Sequence, residues 1–211
     1  MDAADVDTAA ALERIATLFN EFQMGDWPYQ GRAHGFHRVS DLVVTGTLVF
    51  AQPNPGEWIP YETLAPGSYP VYLEVIEEPD PAARVPLDLK PSWTFRIVIP
   101  LAAPEAIAEA AAARRIELVY NDYQPLGPLG ALWDQESNYP ADRTPEFVQR
   151  IEADLAAGAE AGRVPNVAEI PADSGGGAKY LAFYAPYGSA LAWELADADG
   201  EPVCLVMEGA D

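Results

Sequence analysis

Apolar residues recur at three- and four-residue steps over residues 8–22, at Ala11, Leu12, Ile15, Leu18, Phe19 and Phe22. This spacing predicts an N-terminal helix with one buried side, Asp7 or Thr8 as its N-cap and Gly25 as its stop. Residues 26–38 follow neither period. They hold Trp27, Pro28, Gly31, His34, Gly35 and His37 and predict an ordered loop. Period-two patterning rich in β-branched residues then predicts strands over 42–50, with Gly46 as a bulge or close approach, over 69–76 and over 93–101. Pro70 has no N–H to donate, which places it at a strand start or edge.

A second helix is predicted over 104–115. Pro104 suits its first position, Glu105 and Glu109 come early, and Arg114 and Arg115 come late, the order that complements a helix dipole. Residues 116–120 read as a short strand and 122–134 as a loop containing Gly127, Pro128, Gly130 and Trp133. A third helix is predicted over 145–161, capped by Thr144, with Phe147, Val148, Ile151 and Leu155 inward. After a Gly run at 174–177, strands are expected over 179–184, 191–195 and 202–207, the last two joined by the hairpin signal Asp199-Gly200. The expected class is α+β: mostly antiparallel β-sheet with an N-terminal helix, two further helices and a C-terminal β-meander. One compact domain spanning 1–211 is expected, with the helix in 1–25 and the core in 41–207.

Composition narrows the function classes. The 211 residues are 49% hydrophobic, enough to build a sizeable core, so disorder is excluded as the main state. Lys and Arg number 12 against 33 Asp and Glu, a formal net charge of −21. Such a surface repels phosphate backbones and anionic lipid, which disfavours nucleic acid and membrane as partners. An organism-wide acidic habit accounts for the balance equally well. The single cysteine, Cys204, cannot form an internal disulfide. The acidic start and the lack of a long apolar run fit a soluble, cytoplasmic chain.

The two histidines, His34 and His37, are the first candidates for acid–base chemistry, with Asp134 as an acidic companion. Their H-x-x-H spacing could present two imidazoles to a metal. The glycines around it argue against the helix that makes such spacing diagnostic, and Arg32 and Arg38 would oppose a cation. No metal or cofactor is predicted. No serine lies in a G-x-S-x-G elbow, and Cys204 sits between Val203 and Leu205 as a small packed hydrophobe. The Gly run leading to Lys179 fails as a phosphate cradle because Tyr180 follows and the next element is β. Asp197, Asp199 and Glu201 match part of a calcium loop, which a hairpin explains better. The remaining signal is aromatic. Trp27, Trp58, Tyr61 and Trp133, with Tyr29 and Tyr139, fall in expected loops near acidic residues such as Glu77, Glu78 and Asp80. Rings as anchors and carboxylates as steering charges suit a protein-binding surface; the same rings could instead roof the sheet.

Several segments carry a family resemblance. The run Thr45-Gly46-Thr47-Leu48-Val49-Phe50-Ala51-Gln52-Pro53, then Pro66-Gly67-Ser68-Tyr69-Pro70-Val71, then Ala83-Arg84-Val85 before Ser92-Trp93, resembles the opening blocks of the domain of unknown function family 4241. Gly175-Gly176-Gly177-Ala178-Lys179-Tyr180 and Gly200-Glu201-Pro202-Val203-Cys204-Leu205-Val206 resemble its closing strands. The resemblance spans roughly residues 41–207. It departs where the family has Asp-Pro and this chain Gln52-Pro53, around 121–127, and where Gly-Asp-Gly is replaced by Gly175-Gly176-Gly177. The family implies a compact bacterial cytosolic domain and brings no established activity.

The leading expectation is therefore a non-enzymatic, acidic interaction protein, of immunity or antitoxin type, that binds a basic protein. The alternative is a hydrolase or small-ligand binder with a pocket near His34 and His37. A purely structural partner is a third reading, and a homodimer through an exposed sheet edge is compatible with all three.

Overall fold

The computed structural model describes residues 3–22, 34–51, 59–61, 64–76, 93–126, 129–135, 145–171, 179–185 and 188–210. Within them the chain is α+β, with helices α1 (Ala3–Phe22), α2 (Pro104–Ala112) and α3 (Pro145–Glu160). Its strands are β1 (His34–Arg38), β2 (Leu42–Val44), β3 (Leu48–Ala51), β4 (Ile59–Tyr61), β5 (Gly67–Tyr69), β6 (Tyr72–Ile76) and β7 (Trp93–Pro100). They continue as β8 (Ile116–Leu126), β9 (Leu129–Asp134), β10 (Val167–Pro171), β11 (Lys179–Tyr184), β12 (Gly188–Ala196) and β13 (Pro202–Ala210).

Two antiparallel sheets stack between helical layers. The first has the order β1-β6-β7-β13-β12-β8, the second β10-β11-β9-β3-β4, and β2 pairs with β5 in a small third ladder. Strand alternation sorts the side chains into three packed zones. Ile97 and Ile99 of β7, Leu205 and Met207 of β13, Leu181 and Phe183 of β11 and Leu48 and Phe50 of β3 meet between the sheets. The intervening Val98, Cys204 and Val206 turn the other way and pack under α1 and α2, against Leu12, Ile15, Phe19 and Ile107. On the far side, Val49, Ala131, Trp133, Ala182 and Tyr184 pack with Ile151 and Leu155 of α3. The result is a helix–sheet–sheet–helix sandwich, in which both faces of each sheet are apolar because both are covered.

Several local expectations change. Helix α1 begins at Ala3, so Asp7 and Thr8 lie inside it and do not cap it. The H-x-x-H segment is a strand: β1 pairs with β6, His37 opposite Leu73. The stretch 42–50 divides at Thr45 and Gly46, and its halves enter different sheets. Pro70 likewise separates β5 from β6. Residues 122–134, expected as a loop, lie largely in β8 and β9, which carry the chain from the first sheet to the second. The C-terminal strand meander forms, with β11 in the second sheet and β12 and β13 in the first. Its Asp-Gly hairpin stands: Gly200 has φ +88°, and the Asp197 carboxylate accepts the N–H groups of Asp199 and Glu201 at 2.9 and 3.0 Å. Thr144 and Gly25 lie outside the described residues.

Candidate functional site

Three polar clusters and the charged exterior are the chemistry that this fold positions. The deepest is Glu74–Arg96–Glu208. These residues stand directly opposite one another on β6, β7 and β13, on the face covered by α1. Arg96 and Glu74 are fully buried and Glu208 is 5% exposed. The guanidinium donates to the Glu74 carboxylate, to Glu208 Oε2 at 3.3 Å and to Asn20 Oδ1 of α1 at 3.4 Å. Its cationic plane also sits 5.2 Å from the Phe19 ring and 4.7 Å from the Phe95 ring. Burial pushes the Glu208 carboxyl above the usual carboxylate range, against the opposing pull of Arg96. With a helix laid over it, the ladder couples α1 to three strands.

The second cluster joins the turn after β1 to the β10–β11 pair. The Lys179 ammonium donates to Ser40 Oγ at 2.8 Å and to Glu169 Oε2 at 3.0 Å, and the Ser40 hydroxyl donates to the same carboxylate oxygen. Partial burial raises the Glu169 pKa, but the bonds from Ser40 and Lys179 and the ammonium's charge outweigh it and hold the carboxyl below its usual value. A carboxylate so stabilised is a poor base for the Ser40 proton, so the trio ties two segments together rather than activating a nucleophile.

Asp134 forms the third cluster. It is fully buried on β9, where its carboxylate accepts from the Thr45 N–H at 3.1 Å and the Thr45 hydroxyl at 2.7 Å. These bonds fix the break between β2 and β3. Asp134 thus belongs to the second sheet, whereas His37 belongs to the terminal strand β1 of the first. His34 is also on β1, and nothing further is described of its side chain.

Trp133 requires a correction. It is a strand residue of β9, 3% exposed, with its ring 5.3 Å from that of Tyr180, which in turn meets Phe147 of α3 at 5.4 Å. It roofs the second sheet and presents no anchor to solvent. Tyr61 lies in β4, opposite Leu48, with no more described of its side chain. Trp27, Trp58, Glu77, Glu78 and Asp80 lie outside the described residues, as do Tyr29 and Tyr139. Cys204 is buried and its thiol pKa is pushed up by burial, in keeping with a packed hydrophobe.

Six cationic side chains of the described residues face carboxylates of the same chain, while Arg14 and Arg150 are exposed. Arg38 pairs with Asp41 at 2.9 Å, Arg115 with Glu109 at 3.1 Å, Arg163 with Asp154 at 3.6 Å and Arg114 with Glu21, in addition to Arg96 and Lys179. Exposed carboxylates stand on both helical layers and on the edge of the first sheet: Asp7 and Glu13 on α1, Glu105 on α2, Glu117 on β8, Glu152 and Glu160 on α3. Among the described residues no group of His, Cys, Asp and Glu is disposed to hold a metal ion, and no helix is long and apolar enough to cross a membrane.

The clusters and the exterior together define an acidic α+β sandwich. No family model, curated protein or solved structure matches this chain.

Proposed function

We propose that the chain is a non-enzymatic interaction protein that captures a basic protein partner, in the manner of an immunity or antitoxin protein covering its effector. The observation that carries this reading is the distribution of charge. The chain carries a net charge of −21, six cationic side chains of the described residues are matched by carboxylates of the same chain, and exposed carboxylates stand on α1, α2, α3 and β8. A low-dielectric body carrying an excess of one sign draws an oppositely charged partner from solution and raises its association rate. The polar clusters add support, because each is engaged in holding strands and helices together. The partner's association, followed by stopped-flow fluorescence, is expected to slow steeply with ionic strength, by about tenfold or more from low to physiological salt. A rate indifferent to salt would remove the electrostatic basis of the reading.

A further inference from the structure

Strand β8 ends the six-stranded sheet, and among the described residues β12 is its only neighbour. At 11 residues it is longer than the other terminal strands, β1, β10 and β4, which have five, five and three. Its start is open to water: Glu117 is exposed and Leu118 is 36% exposed, an unusual state for a leucine in this fold. An open edge offers a row of backbone N–H and C=O groups to any extended chain that fits it.

Charge decides which chain fits. Glu117 stands directly opposite Glu194 of β12, so its cross-strand neighbour is of like charge and the open side of β8 is where a cation can reach it. The interior of the same sheet shows the favoured pattern, with Arg96 between Glu74 and Glu208 at opposed positions of three strands. At the β8 edge the nearby cations are paired within the chain: Arg114 with Glu21, and Arg115 with Glu109 and the Ala196 carbonyl at 3.1 Å. The adjoining hairpin adds the exposed Asp199 and Glu201. Ile116 and Leu118 occupy the opposite face of the strand, where Leu118 lies across from Trp193. The other terminal strands differ: β1 carries Arg38, β4 has only three residues, and Glu169 of β10 is matched by Lys179.

We infer that β8 is the docking edge for an extended basic segment of the partner, which adds to the sheet as a further antiparallel or parallel strand. Its Lys or Arg would come to lie beside Glu117, and apolar residues at alternate positions would cover Leu118. The inference rests on the basic-partner reading and adds where and how the partner binds. A second copy of this chain is the wrong occupant, since pairing β8 with itself brings Glu117 and its acidic surroundings together in a chain already at −21.

The test uses a blocked peptide of alternating lysine and valine, and the same peptide N-methylated at every second residue so that one backbone edge cannot pair. At low ionic strength the unmethylated peptide is expected to bind and to slow amide hydrogen exchange along residues 116–119, while the methylated peptide binds at least about tenfold more weakly. Glu117→Lys is expected to weaken binding by about tenfold, whereas Glu160→Lys, an equal charge change on α3, is expected to have little effect. Equal binding of both peptides, or equal effects of the two substitutions, would overturn strand addition and leave a charge-driven partner in place. Absence of binding by either peptide would overturn the docking edge, and capture of the partner from lysate then judges the broader reading separately.

Discussion

Arg96 is flanked by carboxylates on both neighbouring strands, and all three side chains are shielded from water. Replacing it by Met leaves the carboxylates buried without their cation, at a cost of about 3–5 kcal/mol in equilibrium urea unfolding. A loss below about 1 kcal/mol would show that the ladder is relaxed by water. Glu208→Gln tests the proton balance. The folded Glu208 carboxyl titrates above its unfolded value, so its contribution is present below the unfolded pKa and is lost as pH rises through the folded pKa. The Gln variant is expected to lack that decline when stability is followed against pH; an unchanged profile would assign the decline to another group. This ladder was hidden in the sequence. Phe95, Ile97 and Ile99 mark one buried face of β7, and the alternate residues, Arg96 among them, suggest a solvated one; only the register of three strands distant in the chain shows the cation between two acids.

At the scale of elements, the helices and most strands were legible because their apolar residues keep a clear period. The exceptions share a cause, the covering of both faces of each sheet. Residues 129–134 are all buried, so β9 shows no alternation, and its Gly130 and Trp133 resemble loop residues until their partners are seen. Gly130 lies opposite Phe183, whose ring would come within 2.6 Å of an added Cβ. Trp133→Ala is expected to cost about 3–5 kcal/mol of stability while leaving the affinity of the folded protein for its partner unchanged; a selective loss of affinity would return Trp133 to the interface. Gly158 of α3 makes a sharper case. Ala usually stabilises a helix interior by about 1 kcal/mol relative to Gly. Here its methyl group would collide with Oδ1 of Asn166, a buried side chain held by its 2.8 Å bond to the Leu155 carbonyl. Gly158→Ala is therefore expected to destabilise by about 1–3 kcal/mol in urea unfolding, against its propensity. Stabilisation would mean that Asn166 gives way easily.

The whole molecule is a covered sandwich with an acidic exterior. Its α+β class could be read from the sequence, whereas the long-range pairing of cations with the chain's own carboxylates could not, because Arg114 meets Glu21 and Arg96 meets Glu208 across long stretches of chain. The net charge of −21, with exposed carboxylates on α1, α2, α3 and β8, makes association with a basic partner the central claim. The most direct measurement is capture of proteins from native lysate on the immobilised chain at low and high ionic strength, with the retained proteins identified by mass spectrometry and their stoichiometry determined. The account predicts one basic protein, held in a fixed ratio at low salt and released as salt rises. No retained protein at either ionic strength, or a retained partner that is acidic and indifferent to salt, would contradict it.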